Sequence, residues 1–325
     1  MQVIHFSLSQ EAMPAVTAEA VATVGTFDGV HRGHRFLVER VMEEAHRRQS
    51  LSMVVTFDRP PSSLFGREKP RLTTLDDKLR LLQPTGIDIV VVLQFDQTMA
   101  RLSAYQFMEL LRDKFHVSCM IIGFNNRFGR RSDIPETLFD YVGYGRQLGV
   151  DVMEAPPYGA LPSDGLSSSL IRNHLLAGHI AEANRLLGYP YTLRGTIAHG
   201  YHVGTLLGFP TANLIVDAHR LVPMAGVYAV RCRLSDADTT INGMMNIGTR
   251  PTFGTHEQTL EVNLFAALGD LYGQHLEVSF VDRLRAEQTF SSPEALAHQL
   301  ALDKEESLKK LRSTHTQPPS EGCGN

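Results

Sequence analysis

The chain has 325 residues, enough for two compact domains, and its 43% apolar and 20% charged content excludes the disordered and fibrous classes. A formal net charge of −4 excludes the broad basic footprint of a DNA- or RNA-binding protein, while leaving room for a small anion held locally. Cys119, Cys232 and Cys323 are far apart and form no CxxC pair, so reduced thiols are expected and neither a disulfide framework nor a zinc site is.

The N-terminal stretch MQVIHFSLSQEAMPAV lacks a basic leader followed by an apolar core. No apolar run approaches the about 18 residues of a membrane span, which predicts a cytoplasmic protein without a membrane partner. The first half then alternates apolar runs with helical patterns: AVATVG, HRFLVERVMEEAHRR, LSMVVTF, TLDDKLRLL, IDIVVVLQF, SAYQFMELLRDKF and VSCMIIG. That rhythm predicts crossover units and a parallel α/β sheet with helices on both faces. Phe36, Leu37, Val41 and Ala45 share one helical face, and Ser103 stands as N-cap before Phe107, Leu110 and Leu111.

After about Leu187 the texture becomes short β-rich runs, YTLRGTIAHG, GVYAVRCRL, INGMMNIG, TLEVNLF and HLEVSFVDRL, which predict a small β-barrel. A final helix opens at Ser292 with Pro293 in its first turn and ends in lysines. The expected organisation is one domain over 1–186, a second over 187–312, and a polar tail without fixed structure over 313–325.

The string GTFDGVHRGH, Gly25 to His34, sits between a strand and an amphipathic helix, where open α/β sheets bind ligands. Gly25, Gly29 and Gly33 allow a tight turn and a close approach. The helix start favours an anion, and His31 and His34, three apart, can lie on one face and donate to phosphate oxygens. Such a site can move an adenylyl group without a protein nucleophile, because a substrate phosphate can attack directly once positioned.

This string resembles the HxGH nucleotidyltransferases, and the whole chain resembles the bacterial bifunctional riboflavin kinase and FAD synthetase family. GFNNRFGRRSD (Gly123 to Asp133) and LSSSLIR (Leu166 to Arg172) are similar to two further motifs of its adenylyltransferase half. The resemblance implies a doubly wound nucleotidyltransferase domain, catalytic His31 and His34, and ATP contacts from Gly25, Thr26, Phe27, Asn125, Ser167, Ser168 and Arg172. Pro60 stands where the family commonly has His, and Asn126 replaces the usual aromatic.

In the β-rich half, HGYHVGTLLGFPTANL places Gly200, Gly204 and Gly208 before Pro210, Thr211, Ala212 and Asn213. Glycines followed by a rigid turn with a hydroxyl and an amide oxygen suit Mg²⁺ and nucleotide phosphates. The string resembles the riboflavin kinase signature, and GVYAV, NIGTRPTFG, TLEVNLF and DLYG follow in the family's order. The resemblance implies phosphate contacts from the three glycines and Thr211, Mg²⁺ held by Thr211 and Asn213, and Glu261 as general base on riboflavin's primary hydroxyl. Thr205 stands where the family often has Arg, and Arg250 is a candidate substitute cation. Taken alone, Glu261 also reads as a solvent-facing residue of an alternating strand.

The expected reaction sequence converts riboflavin and ATP to FMN, then FMN and ATP to FAD, with only small-molecule partners. The departures at Pro60, Asn126 and Thr205 leave two alternatives: a kinase with an impaired adenylyl half, or a flavin-binding regulatory protein.

Overall fold

A computed structural model describes residues 1–9, 16–66, 68–123, 127–130, 136–159, 165–199, 208–234, 239–252, 255–266 and 269–313. The chain divides into two compact units, Met1–Ser168 and Ser169–Asn325. Among the described residues, no helix is long and apolar enough to cross a membrane.

In the first unit, strands β1 (Gln2–Phe6), β2 (Ala20–Val24), β3 (Leu51–Phe57), β4 (Ile89–Leu93), β5 (Val117–Ile122) and β6 (Asp151–Glu154) form one parallel sheet. β2 and β4 are buried along their whole length, as unbroken apolar runs must be when helices cover both faces. The alternation of the strands sorts the core into two halves. Ala22, Val24, Met53, Val55 and Val91 pack with Phe107, Met108 and Leu111 of α4 (Ala104–Phe115). Val21, Val54, Val90 and Cys119 pack on the other face with Leu37, Val38 and Val41 of α1 (Arg32–Arg48). Phe36, expected on the α1 core face, lies at its border against Tyr158, and Val38 takes the buried position.

The strand order is β1-β4-β3-β2-β5-β6. From β2 the chain winds one way through β3 and β4 and the other way through β5 and β6, so the loop leaving β2 opens at the topological switch point. Capping fixes the helices around it. Thr74 and Asp77 make a reciprocal capping box on α2 (Leu75–Leu82), and Ser103 and Gln106 make one on α4, as expected for Ser103.

The second unit carries the expected barrel. Strands β7 (Thr192–Ala198), β8 (Ala212–Val216), β9 (Gly226–Leu234), β10 (Ile241–Thr252), β11 (Thr255–Leu264) and β12 (His275–Arg285) close antiparallel in the order β10-β11-β8-β7-β12-β9. Closure removes the exposed edges that an open sheet would present. Helix α6 (Ser168–Leu176) begins at the division between the units, and α7 (Ile180–Leu187) belongs to the second. The Asn184 amide donates to the Phe280 carbonyl at 2.9 Å and its oxygen accepts from the Tyr191 N–H at 2.7 Å.

The last helix, α8 (Pro293–Ser313), is held to the barrel by charge. Arg285 of β12 donates two bonds to the buried Asp303 carboxylate, at 2.8 and 2.6 Å, and Lys310 pairs with Asp282 at 2.8 Å. A two-pronged guanidinium–carboxylate pair fixes orientation as well as distance.

Candidate active sites

The loop after β2 is built around backbone that ordinary residues avoid. Phe27 and Val30 have φ of 48° and 35°, and both side chains are buried, which holds them there. Gly29, at φ 84°, takes the third such position, where a side chain would be strained. The Asp28 carboxylate anchors the loop by accepting from the Leu72 and Thr73 N–H groups at 2.9 and 3.1 Å, while the Gly29 N–H donates to the Thr73 hydroxyl at 2.9 Å.

His31 is the N-cap of α1, and its Nδ1 accepts from the His34 N–H at 3.3 Å. The Nδ1 lone pair is thus engaged, which puts the proton of the neutral ring on Nε2. Burial pushes the His31 pKa down to about 4. His34 is also lowered, first by burial and then by the charges of His31 and Lys78. The two rings stack with centroids 3.6 Å apart, so the structure brings the two expected histidines together as neutral N–H donors. Gly33 leaves room beside them, since a side chain there would start 3.3 Å from the His31 ring, a tight contact that the ring would have to yield to.

Ser168, expected at ATP, donates its hydroxyl to the Asp28 carbonyl at 2.8 Å, within the first unit. Ser167 precedes α6, and Arg172 lies one turn along that helix in the second unit, donating to Ser169 at 3.4 Å. Asn125, Asn126, Gly200, Gly204, Thr205, Cys323 and the Arg250 side chain lie outside the described residues.

Gly25 and Thr26 form part of the wall of a cavity of about 760 Å³, within the range of small-molecule pockets. Phe57, Phe95, Phe107, Phe128 and Tyr141 give it an aromatic lining, with Phe128 stacked on Tyr141 at 4.5 Å, and Arg127 and Arg130 add positive charge. Sequence reading missed this cavity, because its aromatics, Phe65 included, come from separate segments spread over more than eighty residues. It also missed Lys78. This buried ammonium donates to the Thr56 hydroxyl at 3.0 Å, Thr56 donates on to the Thr26 carbonyl at 3.4 Å, and burial pushes the Lys78 pKa down to about 8. A lysine four residues before the buried Leu82 on an amphipathic helix was the available signal.

In the barrel, ladder register assembles the second site. Asn213 of β8 opposes Glu261 of β11, Glu261 opposes Asn246 of β10, and Asn246 opposes Val227 of β9. The four therefore form one row across four strands, with neighbours separated by a single strand spacing of about 4.8 Å. Leu260, Val262, Met245 and Ile247 point to the opposite side and are buried. Glu261 thus belongs to an alternating strand, as its neighbours allowed, yet its face is covered.

That cover is the segment from Arg285 through α8. Together they enclose a cavity of about 270 Å³ lined by Thr211, Glu261, Asn246, Val227, Glu287 and Phe290, among others. Asn263, buried and two residues along β11 from Glu261 on the same face, donates to the Pro210 carbonyl at 2.7 Å and fixes the turn that carries Thr211. Thr211 and Glu261 bring a hydroxyl and a carboxylate to this cavity, and the Asn213 amide stands opposite Glu261 in the ladder, all of them hard oxygen donors. Oxygen donors of this kind, without thiolate or imidazole, suit an ion of the Mg²⁺ type shared with nucleotide phosphates.

Both halves match known families. The riboflavin kinase family matches residues 187–311 and the FAD synthetase family residues 13–170. The bifunctional riboflavin kinase/FMN adenylyltransferase of Escherichia coli strain K12 is 37% identical over 289 residues, covering 87% of this chain and 90% of the relative. Its counterpart in Bacillus subtilis strain 168 is 30% identical, covering 95% and 98%. A crystal structure from Streptococcus pneumoniae, described as a macrolide-efflux protein, superposes with a TM-score of 0.83 at 29% identity, covering 94% of this chain and 99% of that one. With both domain families present in order and relatives aligned over nearly their full length, the chain belongs to the bifunctional riboflavin kinase/FMN adenylyltransferase family.

Proposed function

We propose that this chain makes FAD from riboflavin in two ATP-consuming steps, phosphorylation in the barrel and adenylyl transfer in the parallel-sheet unit. The observation that carries the reading is that Thr211, Glu261 and Asn246 line one covered cavity, with Asn213 opposite Glu261 in the ladder. In the barrel, Glu261 accepts the proton of riboflavin's primary hydroxyl as that oxygen bonds to the γ-phosphorus of ATP and ADP departs. Thr211 and Asn213 are the residues that would hold Mg²⁺, which when bound neutralises phosphate charge. Asn263 keeps Thr211 in place by fixing the preceding turn.

In the first unit, a phosphate oxygen of FMN attacks the α-phosphorus of ATP and the bond to the bridging oxygen breaks, releasing pyrophosphate. That oxygen is already anionic, so no base is needed. The loop supplies positioning and donors: the helix start of α1 and the neutral imidazoles of His31 and His34 stabilise charge that builds on the phosphates. Gly25, Thr26, Phe27, Ser167 and Ser168 shape the ATP side together with Asn125, and the aromatic cavity takes the flavin ring. The buried thiols of Cys119 and Cys232, pushed up to about 11 and 12, suit a cytoplasmic setting.

A kinase with an impaired adenylyl half, or a non-catalytic flavin-binding regulatory protein, is not favoured, because both halves match their families and the relatives carry both names. Purified protein incubated with riboflavin, ATP and Mg²⁺ should yield FMN first and FAD later by chromatography. Absence of either product would remove the corresponding step.

A further inference from the structure

Among the described residues, the buried Lys78 of α2 bonds to no carboxylate. Its ammonium donates to the Thr56 hydroxyl at 3.0 Å and to the Phe57 carbonyl at 3.4 Å, while Asp28 and Asp58 act on it only through space. Holding an ammonium out of water on neutral oxygens is costly, and packing alone would be served as well by an apolar residue. What the charge reaches is the adenylyl loop. An ammonium can only donate, so the Thr56 oxygen accepts from it and the Thr56 proton goes on to the Thr26 carbonyl at 3.4 Å.

The direction of that relay fixes a peptide plane. Along β3, Val54 packs with α1 whereas Val55 and Phe57 pack with α4, so by alternation Thr56 points to the α1 face. In a trans peptide the C=O and the following N–H point opposite ways, so a Thr26 carbonyl drawn to that face turns the Phe27 N–H to the other. The other face carries the aromatic cavity, with Gly25 and Thr26 in its wall. Among the described residues the Phe27 N–H meets no acceptor although Phe27 is buried, which is rare for a backbone donor unless a ligand completes it. Burial of the Phe27 ring does not hold this plane by itself. Rotating the Thr26–Phe27 peptide changes only ψ of Thr26 and φ of Phe27, and would release Phe27 from its φ of 48° with the chain path unchanged.

We infer that Lys78 is a positioning residue for adenylyl transfer, acting through Thr56 to hold the Thr26–Phe27 peptide with its N–H toward the phosphates of ATP. This rests on the adenylyl reading above. The ammonium also polarises the chain of bonds, which makes that N–H a stronger donor as charge builds on the phosphates, so the effect falls on kcat more than on KM. A neutral amine gives up this charge. Burial lowers Lys78 to a pKa of about 8 against the charges of Asp28 and Asp58, Arg71 lowers it further, and His34 of α1 is itself lowered by Lys78.

The test follows FAD formation by the full-length protein from supplied FMN and ATP. In the wild type kcat/KM for ATP should fall as pH rises through about 8, although the phosphates of both substrates are ionised well below that. Lys78→Met, which keeps the stem, should lower kcat about tenfold or more, leave KM for ATP within a few fold, and abolish the alkaline fall. Thr56→Val should lower kcat alike with the ammonium still present, and Thr56→Ser, which restores the hydroxyl, should recover it. A wild type whose kcat/KM stays level from about pH 7 to 9.5 would overturn the inference without any variant. So would full activity in Lys78→Met or Thr56→Val, a loss confined to KM, or a Thr56→Ser as impaired as Thr56→Val. If Lys78→Met fails to fold, the Thr56 pair and the wild-type profile still decide. A wild type that makes no FAD from FMN at any pH removes the adenylyl reading and this inference with it, and FMN formation from riboflavin then shows that the protein itself is sound.

Discussion

The His34 backbone N–H donates to Nδ1 of His31, and the two imidazoles stack at 3.6 Å, so one cap bond sets the tautomer of the first ring and the place of the second. Each ring depends on the other for its geometry. His31→Ala or His34→Ala should therefore slow FAD formation from supplied FMN by about 100-fold or more, the scale of losing a preorganised donor. FMN formation from riboflavin should stay within a few fold. Equal loss of both conversions, with circular dichroism unchanged, would contradict a separate adenylyl site.

The same burial has a consequence for stability. His31 is held near pKa 4 in the folded chain against 6.5 in its ordinary state, so between those values the unfolded chain binds a proton that the folded one does not. Stability rises with pH where the unfolded state is the more protonated, so this contribution is intact above about pH 6.5 and is lost as pH falls towards 4. His34 acts in the same direction. Urea titrations of wild type and His31→Asn at pH 7 and pH 4.5 should show the wild type losing about 2–3 kcal/mol more on acidification. Parallel losses would show that His31 titrates normally.

The strands that sequence patterning revealed and those it hid differ in where they lie. β2 to β5 are buried runs and announce themselves, whereas β1 and β6 are the sheet's edges, β6 having mostly exposed side chains and no apolar run to find. The HxGH loop was legible because its glycines and histidines are adjacent in the chain. Lys78 and Thr73, which pin that loop, arrive from more than forty residues away through hydrogen bonds that carry no local signature. The barrel behaves alike: GFPTAN and Glu261 could be quoted from motifs, but Asn246, Asn263 and Glu287 become site residues only through register and cover.

Glu261→Gln isolates the proton-accepting role, since the amide keeps the shape of the residue opposite Asn213 and Asn246 but cannot take the hydroxyl proton. FMN formation should fall by at least about 100-fold, the lower end of what general base catalysis contributes. FAD formation from supplied FMN should survive, because the attacking phosphate is already ionised and the adenylyl loop lies in the other unit. Loss of both conversions would mean that the two reactions share one apparatus.

The texture of the sequence changes near Leu187, but the second compact unit begins at Ser169, and the difference can be measured with two fragments. A fragment from Leu187 to Asn325 keeps every strand of the barrel, GFPTAN and Glu261. It loses α6 and most of α7, including the buried Ile180 and Ala183 and the Asn184 side chain that bridges the Phe280 carbonyl and the Tyr191 N–H. It also loses the Leu175 carbonyl, which accepts from the Met224 N–H at 3.1 Å. Removing a buried aliphatic side chain and leaving buried polar groups without partners should together cost about 3 kcal/mol or more. We expect a fragment from Ser169 to Asn325 to fold and convert riboflavin to FMN, and the shorter fragment to melt at a clearly lower temperature with its activity retained only below that point. The row Asn213–Glu261–Asn246 is intact in both. Scanning calorimetry alongside FMN production decides the matter: equal melting temperatures would show that α6 and α7 add nothing to the barrel, and a folded longer fragment that makes no FMN would show that the kinase needs residues of the first unit.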